Sequence, residues 1–304
     1  MTSSPPVDVA AGTRPESSDP RLLSAVLGRA AATLARAGVP SPRADAEQLL
    51  AHLTGLERGR LLARAVAGGA LDAEQLLAAE ELVARRAARE PLQHITGRAG
   101  FRRLELAVGP GVFVPRPETE VTAQIAIDLL LAVPSSAPRA VDLGTGSGAI
   151  ALALATEVPH AEVAAVENSV AAFVWAKQNA RETGTANLRL VFDDLAIALP
   201  EWEGSVDVLV SNPPYVPDDA IPRDPEVQRH DPPAALYGGP DGLDVVRALS
   251  RRGRALVREG GSLVLEHGEE QGRAIRALLE ADGWRATATH PDLVGRDRVT
   301  TALR

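Results

Sequence analysis

The sequence predicts an α/β protein in which a doubly wound, Rossmann-like parallel sheet follows a small N-terminal helical bundle, with a β-hairpin between the two. Three observations lead there. From Arg139 onward short apolar runs alternate with helical patterns, the order in which strands cross over through helices into one parallel sheet. Before about residue 90 the apolar residues recur at helical spacing only. A Gly-Thr-Gly-Ser-Gly run, 144–148, closes the first of the later apolar runs, where such a sheet turns from strand to helix.

Composition narrows the field before any motif is read. The 304 residues suit two domains, one of them large. Aromatics make up only 3% of the chain, so Leu, Val and Ala must fill the core. There is no cysteine, which excludes disulfides, thiolate metal sites and a cysteine nucleophile. A net charge of −8 argues against a protein that grips nucleic acid through bulk phosphate contacts. No apolar run approaches the ~20 residues that cross a bilayer. Residues 1–20 are rich in Pro, Ser and Asp and lack an apolar segment, so they read as a disordered tail and not as a signal peptide, and the cytoplasm is the expected location.

Taken in order, Leu22 and Val26 open a first helix. Ser41-Pro42 offers an N-cap followed by proline at the first helical position, with Ala46, Leu49, Leu50 and Leu53 on one face. Asp72 and Gln75 have capping-box spacing ahead of Leu76, Leu77, Leu82 and Val83. The bundle spans 21–90, and its mild excess of arginine marks a solvated surface. Over 91–115 the period changes: 101–108 alternates in part and Gly109-Pro110-Gly111 is a turn, which predicts a β-hairpin linker. A helix over 120–131 follows Pro117. Strands are then expected at 140–143, 162–167, 188–192, 206–211 and 262–266, helices at 149–157, 170–183, 243–259 and 269–281, and a closing pair of strands at 284–289 and 299–303.

Two loops of the larger domain, 116–304, carry the chemistry. In Val141-Asp142-Leu143-Gly144-Thr145-Gly146-Ser147-Gly148 the glycines allow a tight turn and close approach of a ligand to the backbone. The spacing up to Ala149 also satisfies the dinucleotide fingerprint, so NAD and S-adenosylmethionine both remain open. Glu167, ending the second strand, can accept ribose hydroxyls from either. Asp142 favours the cationic amino group of a methionine moiety over a pyrophosphate, which it would repel. Asp194-Leu195, after the third strand, falls on the adenine side. The second loop is Ser211-Asn212-Pro213-Pro214-Tyr215, after the fourth strand. An amide nitrogen is a poor nucleophile because its lone pair is delocalised. Holding both its N–H groups on acceptors aims the lone pair at an incoming methyl, and the Asn212 side-chain oxygen and the Pro213 carbonyl are such acceptors. The consecutive prolines stiffen the loop, and Tyr215 can lie flat against a planar amide or base. These residues point to a nitrogen acceptor without separating glutamine from adenine.

The chain resembles the HemK/PrmC family, the glutamine-N5 methyltransferases of peptide chain release factors. The likeness runs from Arg21 to Arg304. It is carried by Pro91-Leu92-Gln93-His94-Ile95-x-Gly97 with Phe101, Val114-Pro115-Arg116-Pro117-Glu118-Thr119-Glu120, the glycine loop, 212–215, Ala235-Leu236-x-Gly238-Gly239-x-Asp241-Gly242-Leu243 and Asp292-Leu293-x-Gly295-Arg296-Asp297-Arg298. The resemblance implies a class I methyltransferase fold with S-adenosylmethionine as cofactor. It also implies a Gly-Gly-Gln glutamine entering beside Asn212, and a release factor docked by the helical bundle. His94 stands where the family usually has Tyr, and His230-Asp231-Pro232 where it usually has Tyr-Glu-Pro; both bear on docking and not on the chemistry. Glu118 and Glu120 read as helix-start residues beside the site, not as bases. The scattered histidines and Glu266-His267-Gly268-Glu269 lack metal-site spacing, so no metal is expected.

Overall fold

The computed structural model describes residues 19–304. The proposed tail falls almost wholly outside them. The chain forms two compact units that divide between Arg89 and Glu90.

The smaller unit holds α1 (Leu23–Arg36), α2 (Pro42–Thr54), α3 (Arg58–Val66) and α4 (Ala73–Ala87). Leu23, Leu27, Leu34, Leu49, Leu50 and Leu61 are fully buried and make its core. Asp72 and Gln75 form the expected capping box. Ser41 and Pro42 stand at the expected start of α2, although the Ser41 side chain makes no capping bond. Leu77 is exposed and does not join the core. Arg86 and Asp45 are buried together, joined by a 2.8 Å hydrogen bond that leaves neither charge uncompensated.

The larger unit begins with α5 (Leu92–Thr96), β1 (Arg98–Phe101) and β2 (Leu104–Ala107), then α6 (Thr119–Leu131), β3 (Arg139–Leu143), α7 (Ala149–Glu157), β4 (Glu162–Glu167), α8 (Val170–Thr183), β5 (Leu188–Phe192) and β6 (Val206–Ser211). It ends with α9 (Pro225–His230), α10 (Pro233–Leu236), α11 (Asp244–Leu256), β7 (Val257–Glu266), α12 (Gly272–Ala281), β8 (Arg285–Pro291) and β9 (Asp297–Leu303). The seven-stranded sheet runs β5-β4-β3-β6-β7-β9-β8. It is parallel from β5 to β7 and antiparallel at β9 and β8. Strand order reverses at β3, so the crevice of a doubly wound sheet opens at its carboxyl end.

The hairpin differs from expectation in two ways. Its turn is Arg102-Arg103, between β1 and β2, and 109–111 follows the second strand. It is also no separate linker, because it belongs to the larger unit: Asn179 of α8 accepts from the Ala107 N–H and donates to the Ala107 carbonyl. The helix expected to run to residue 259 stops at Leu256, because Val257 already pairs with Val206. The next helix starts at Gly272, and α3, α5, α9 and α10 were not legible as elements.

Alternation along the strands sets what each face carries. Val141, Leu143, Leu209, Leu263 and Leu265 pack with α11 and α12 on one face. Ala140, Val208, Val210 and Val264 pack with α6 and α7 on the other. Asp142 is register-paired with Val210, and Val210 with Val264. The period of two therefore sends Asp142, Asn212 and Glu266 to the same side of neighbouring strand ends.

Candidate active site

The loops that leave β3 and β6 line one crevice of about 660 Å³, a volume suited to a cofactor-sized ligand. The Ser211 hydroxyl donates to the Leu143 carbonyl at 2.5 Å and ties the two strand ends together. Gly144, Gly146 and Gly148 all take positive φ, 77°, 58° and 87°, which side-chain-bearing residues rarely adopt. Gly144, Thr145, Gly146 and Ser147 line the crevice. Gly148 does not: a Cβ there would meet Leu152 at 3.2 Å and Ala176 at 3.7 Å, so it serves helix packing. Asn179 also donates to the Ser147 carbonyl, and so holds the glycine loop and the hairpin from one side chain.

Asp142 has two duties that its position in the sequence did not reveal. Its Oδ2 accepts from the Thr145 hydroxyl at 2.6 Å and from the Ala151 N–H at 3.2 Å. Because the N-cap position of α7 is a glycine, this carboxylate satisfies a first-turn N–H that would otherwise be orphaned. Its Oδ1 is buried and has no partner among the described residues. Burial pushes the carboxyl up to about 7, while the Thr145 and Ala151 hydrogen bonds pull the other way. A buried, unpartnered carboxylate oxygen on a ligand crevice fits a cationic amino group and would repel a pyrophosphate.

Glu167 lines the crevice with both oxygens already in use, one accepting from Gly146 N–H at 2.8 Å and the other from Ser169 N–H at 2.7 Å. Each oxygen keeps a second lone pair for a hydroxyl donor. Leu195 lines the crevice too, but Asp194 does not. Asp194 is exposed, and its Oδ1 accepts from the Ala196 N–H, which closes a turn.

Asn212, Pro213, Pro214 and Tyr215 all line the crevice. The loop is braced from behind by 236–242: Val216 N–H donates to Leu236 O at 2.8 Å and Gly238 N–H to Val216 O at 2.9 Å. Gln271 Nε2 donates to Tyr215 O at 2.9 Å. Gly242 has φ 72° and packs so close that a Cβ would lie 2.2 Å from that carbonyl. The Gly-Gly-x-Asp-Gly segment is thereby explained as a support for the loop 212–216. No donor among the described residues occupies Asn212 Oδ1 or the Pro213 carbonyl. Burial raises the Tyr215 phenol above its ordinary range, which keeps it neutral.

The residues behind Asn212 carried no signal that motif reading could find. Asn212 Nδ2 donates to Thr119 Oγ1 at 3.2 Å. Thr119 donates to Glu266 Oε1 at 3.1 Å, and Thr122 to Glu266 Oε2 at 2.8 Å. Glu266 lines the crevice and burial pushes it up to about 7, against those two hydrogen bonds. Glu118 lines the crevice within 3.7 Å of Arg296, whereas Glu120 Oε1 accepts from the Arg102 N–H. The two departures from the family pattern sit near Arg116. Asp231 is buried and accepts from Arg116 at 2.8 Å. His94 is held below the usual imidazole range by burial and by His230 and Arg116.

The segment 25–97 matches the PrmC N-terminal domain, and 104–224 the methyltransferase small domain. Over 285 residues the chain is 50% identical to the release factor glutamine methyltransferase of Streptomyces coelicolor, covering 93% of this chain and 98% of that one. The chain belongs to the release factor glutamine methyltransferase family. The Mycolicibacterium smegmatis release factor glutamine methyltransferase is 46% identical over 288 residues, again covering 93% and 98%. Among solved structures, a Thermus thermophilus 16S rRNA methyltransferase in complex with AdoMet and guanosine aligns with a TM-score of 0.50 at 24% identity. It covers 68% of this chain and 49% of its own, and shows the class I methyltransferase fold in common. Among the described residues no helix is long and apolar enough to cross a membrane.

Proposed function

We propose that this member transfers the methyl group of S-adenosylmethionine to the side-chain amide nitrogen of a glutamine, the one in the Gly-Gly-Gln tripeptide of a peptide chain release factor. One observation carries the proposal: two unoccupied oxygens, Asn212 Oδ1 and the Pro213 carbonyl, on a braced corner beside the buried, unpartnered Asp142 Oδ1. When bound, S-adenosylmethionine supplies an electrophilic methyl on a sulfonium. Asp142 would hold its amino group, Glu167 the ribose hydroxyls, and the loop 144–147 would follow its backbone, with Leu195 against the adenine.

The remaining work belongs to the chain's own side chains. Asn212 Oδ1 and the Pro213 carbonyl accept both N–H groups of the glutamine amide and turn its lone pair toward the methyl, so the entropy of alignment is met before reaction. Tyr215, neutral and half-buried, packs against the amide plane. The N-methylated amide cation is a strong acid and sheds its proton readily, so no buried base is required.

Asn212→Ala tests this. The variant should bind S-adenosylmethionine as the parent does and lose about 10²–10³ in kcat, the effect of removing one positioned transition-state hydrogen bond. Single-turnover methylation of a purified release factor together with a cofactor titration measures both. Unchanged turnover in Asn212→Ala would refute the role given to the corner.

A further inference from the structure

We propose that Thr119 and Glu266 are positioning residues: together they fix which end of the Asn212 amide faces the substrate. The proposal rests on Asn212 serving as the substrate's acceptor, and it concerns what makes that acceptor dependable.

An asparagine side chain carries an acceptor at one end and a donor at the other, and the two ends have nearly the same shape. Turned the wrong way, Asn212 would aim N–H at the glutamine N–H groups and repel them. Proline bracing fixes the loop backbone but cannot choose between the two ends. The choice requires a neighbour that can only accept from Asn212.

The structure provides one in two steps. Glu266 ends β7, and strand alternation turns it to the same side as Asn212, under the first turn of α6. Thr119 and Thr122 stand three apart on that helix and share a face. Both hydroxyls donate to Glu266, at 3.1 and 2.8 Å. An ionised carboxylate only accepts, so the Thr119 proton is committed to it. The Thr119 oxygen is left with lone pairs alone toward Asn212, and at 3.2 Å it accepts from Nδ2. The Asn212 oxygen must then face the crevice. Glu266 and Thr119 are 2% and 4% exposed, so water does not compete for these bonds.

The direction of the relay depends on the charge of Glu266. Protonated, Glu266 can donate to the Thr119 oxygen; Thr119 would then donate to Asn212 and turn its amide round. The charged and titratable groups facing Glu266 are Arg298 of β9, Glu118 before α6 and Tyr215 of the acceptor loop, with His267 next in the chain and hydrogen-bonded to Gly268 O and Thr300. Arg298 favours the ionised form and Glu118 opposes it; burial, the largest influence, places the change at about 7.

The test uses the full-length enzyme, S-adenosylmethionine at saturation and a purified release factor. Thr119→Val keeps the shape and removes the hydroxyl. Its kcat should fall about tenfold, as expected for losing a hydrogen bond of ordinary net strength, with cofactor affinity near that of the parent. Thr119→Ser should restore turnover. In the parent, kcat should fall as pH drops below about 7, and Glu266→Gln, slower throughout, should lack that acid limb. Parental kcat in Thr119→Val, equal impairment of Thr119→Val and Thr119→Ser, or an unchanged acid limb in Glu266→Gln would each overturn the relay. Asn212→Ala run alongside separates the two ideas: if it alone is inactive, the acceptor corner stands and the relay falls.

Discussion

Asp142 binds together a strand end, a helix start and the proposed cofactor site, and its two oxygens divide the labour. Oδ2 holds Thr145 and the α7 N-terminus, and Oδ1 waits in the crevice wall. In the ligand-free protein the carboxyl is half-protonated at about 7. A cationic amino group stabilises the ionised form, so binding must take up the ionised population or expel a proton. The sign follows. S-adenosylmethionine affinity should weaken as pH falls below about 7, by up to tenfold per pH unit. Asp142→Asn should bind more weakly and lose this slope, as calorimetric titration across the range would measure. A parental slope retained in Asp142→Asn would place the titration elsewhere. Asp142 and Asn212 were legible in the sequence because each lies beside a turn signal. Glu266 was not, since Thr119 is 147 residues away and the two meet only because α6 packs across the ends of β6 and β7.

At the level of elements, β4, β5, β6, α7 and α8 have the bounds that the apolar runs and their punctuation predicted. The hairpin turn did not, for a definite reason. Arg102 adopts φ 54°, a conformation that Gly or Asn would have advertised and arginine does not. It is held there by Glu157, at 2.5 and 2.8 Å, and by the Glu120 carboxylate on its N–H, a set of tertiary contacts with no local signature. Gly109-Pro110-Gly111 carried the stronger turn signal, but Gly109 packs against Trp175, so its small size serves the contact with α8. The short helices α5, α9 and α10, of 5, 6 and 4 residues, are too brief to show a period. Asn179 of α8 ties β2 to the glycine loop. Asn179→Leu would strand the Ala107 N–H and C=O and the Ser147 carbonyl in a buried site. With each buried group left unsatisfied costing about 1–3 kcal/mol, destabilisation of several kcal/mol is expected. Urea denaturation should show it, with weaker cofactor binding because the glycine loop loses its tether. A loss below about 1 kcal/mol would mean that these groups find other partners.

For the whole molecule, the order of the sheet brings the carboxyl ends of β3, β6 and β7 side by side, and that single fact gathers Asp142, Asn212 and Glu266, the residues of the proposed cofactor and acceptor sites, into one crevice. An acidic chain of net charge −8 gives a nucleic-acid substrate little electrostatic purchase, while a glutamine held by two neutral oxygens needs none. The most direct test of the central claim is mass spectrometry of a release factor and of nucleic acid after incubation with the enzyme and S-adenosylmethionine. The expected result is one added methyl on the Gly-Gly-Gln glutamine, absent with Asn212→Ala. A methyl found on nucleic acid alone, or on the release factor at any residue but that glutamine, would contradict it.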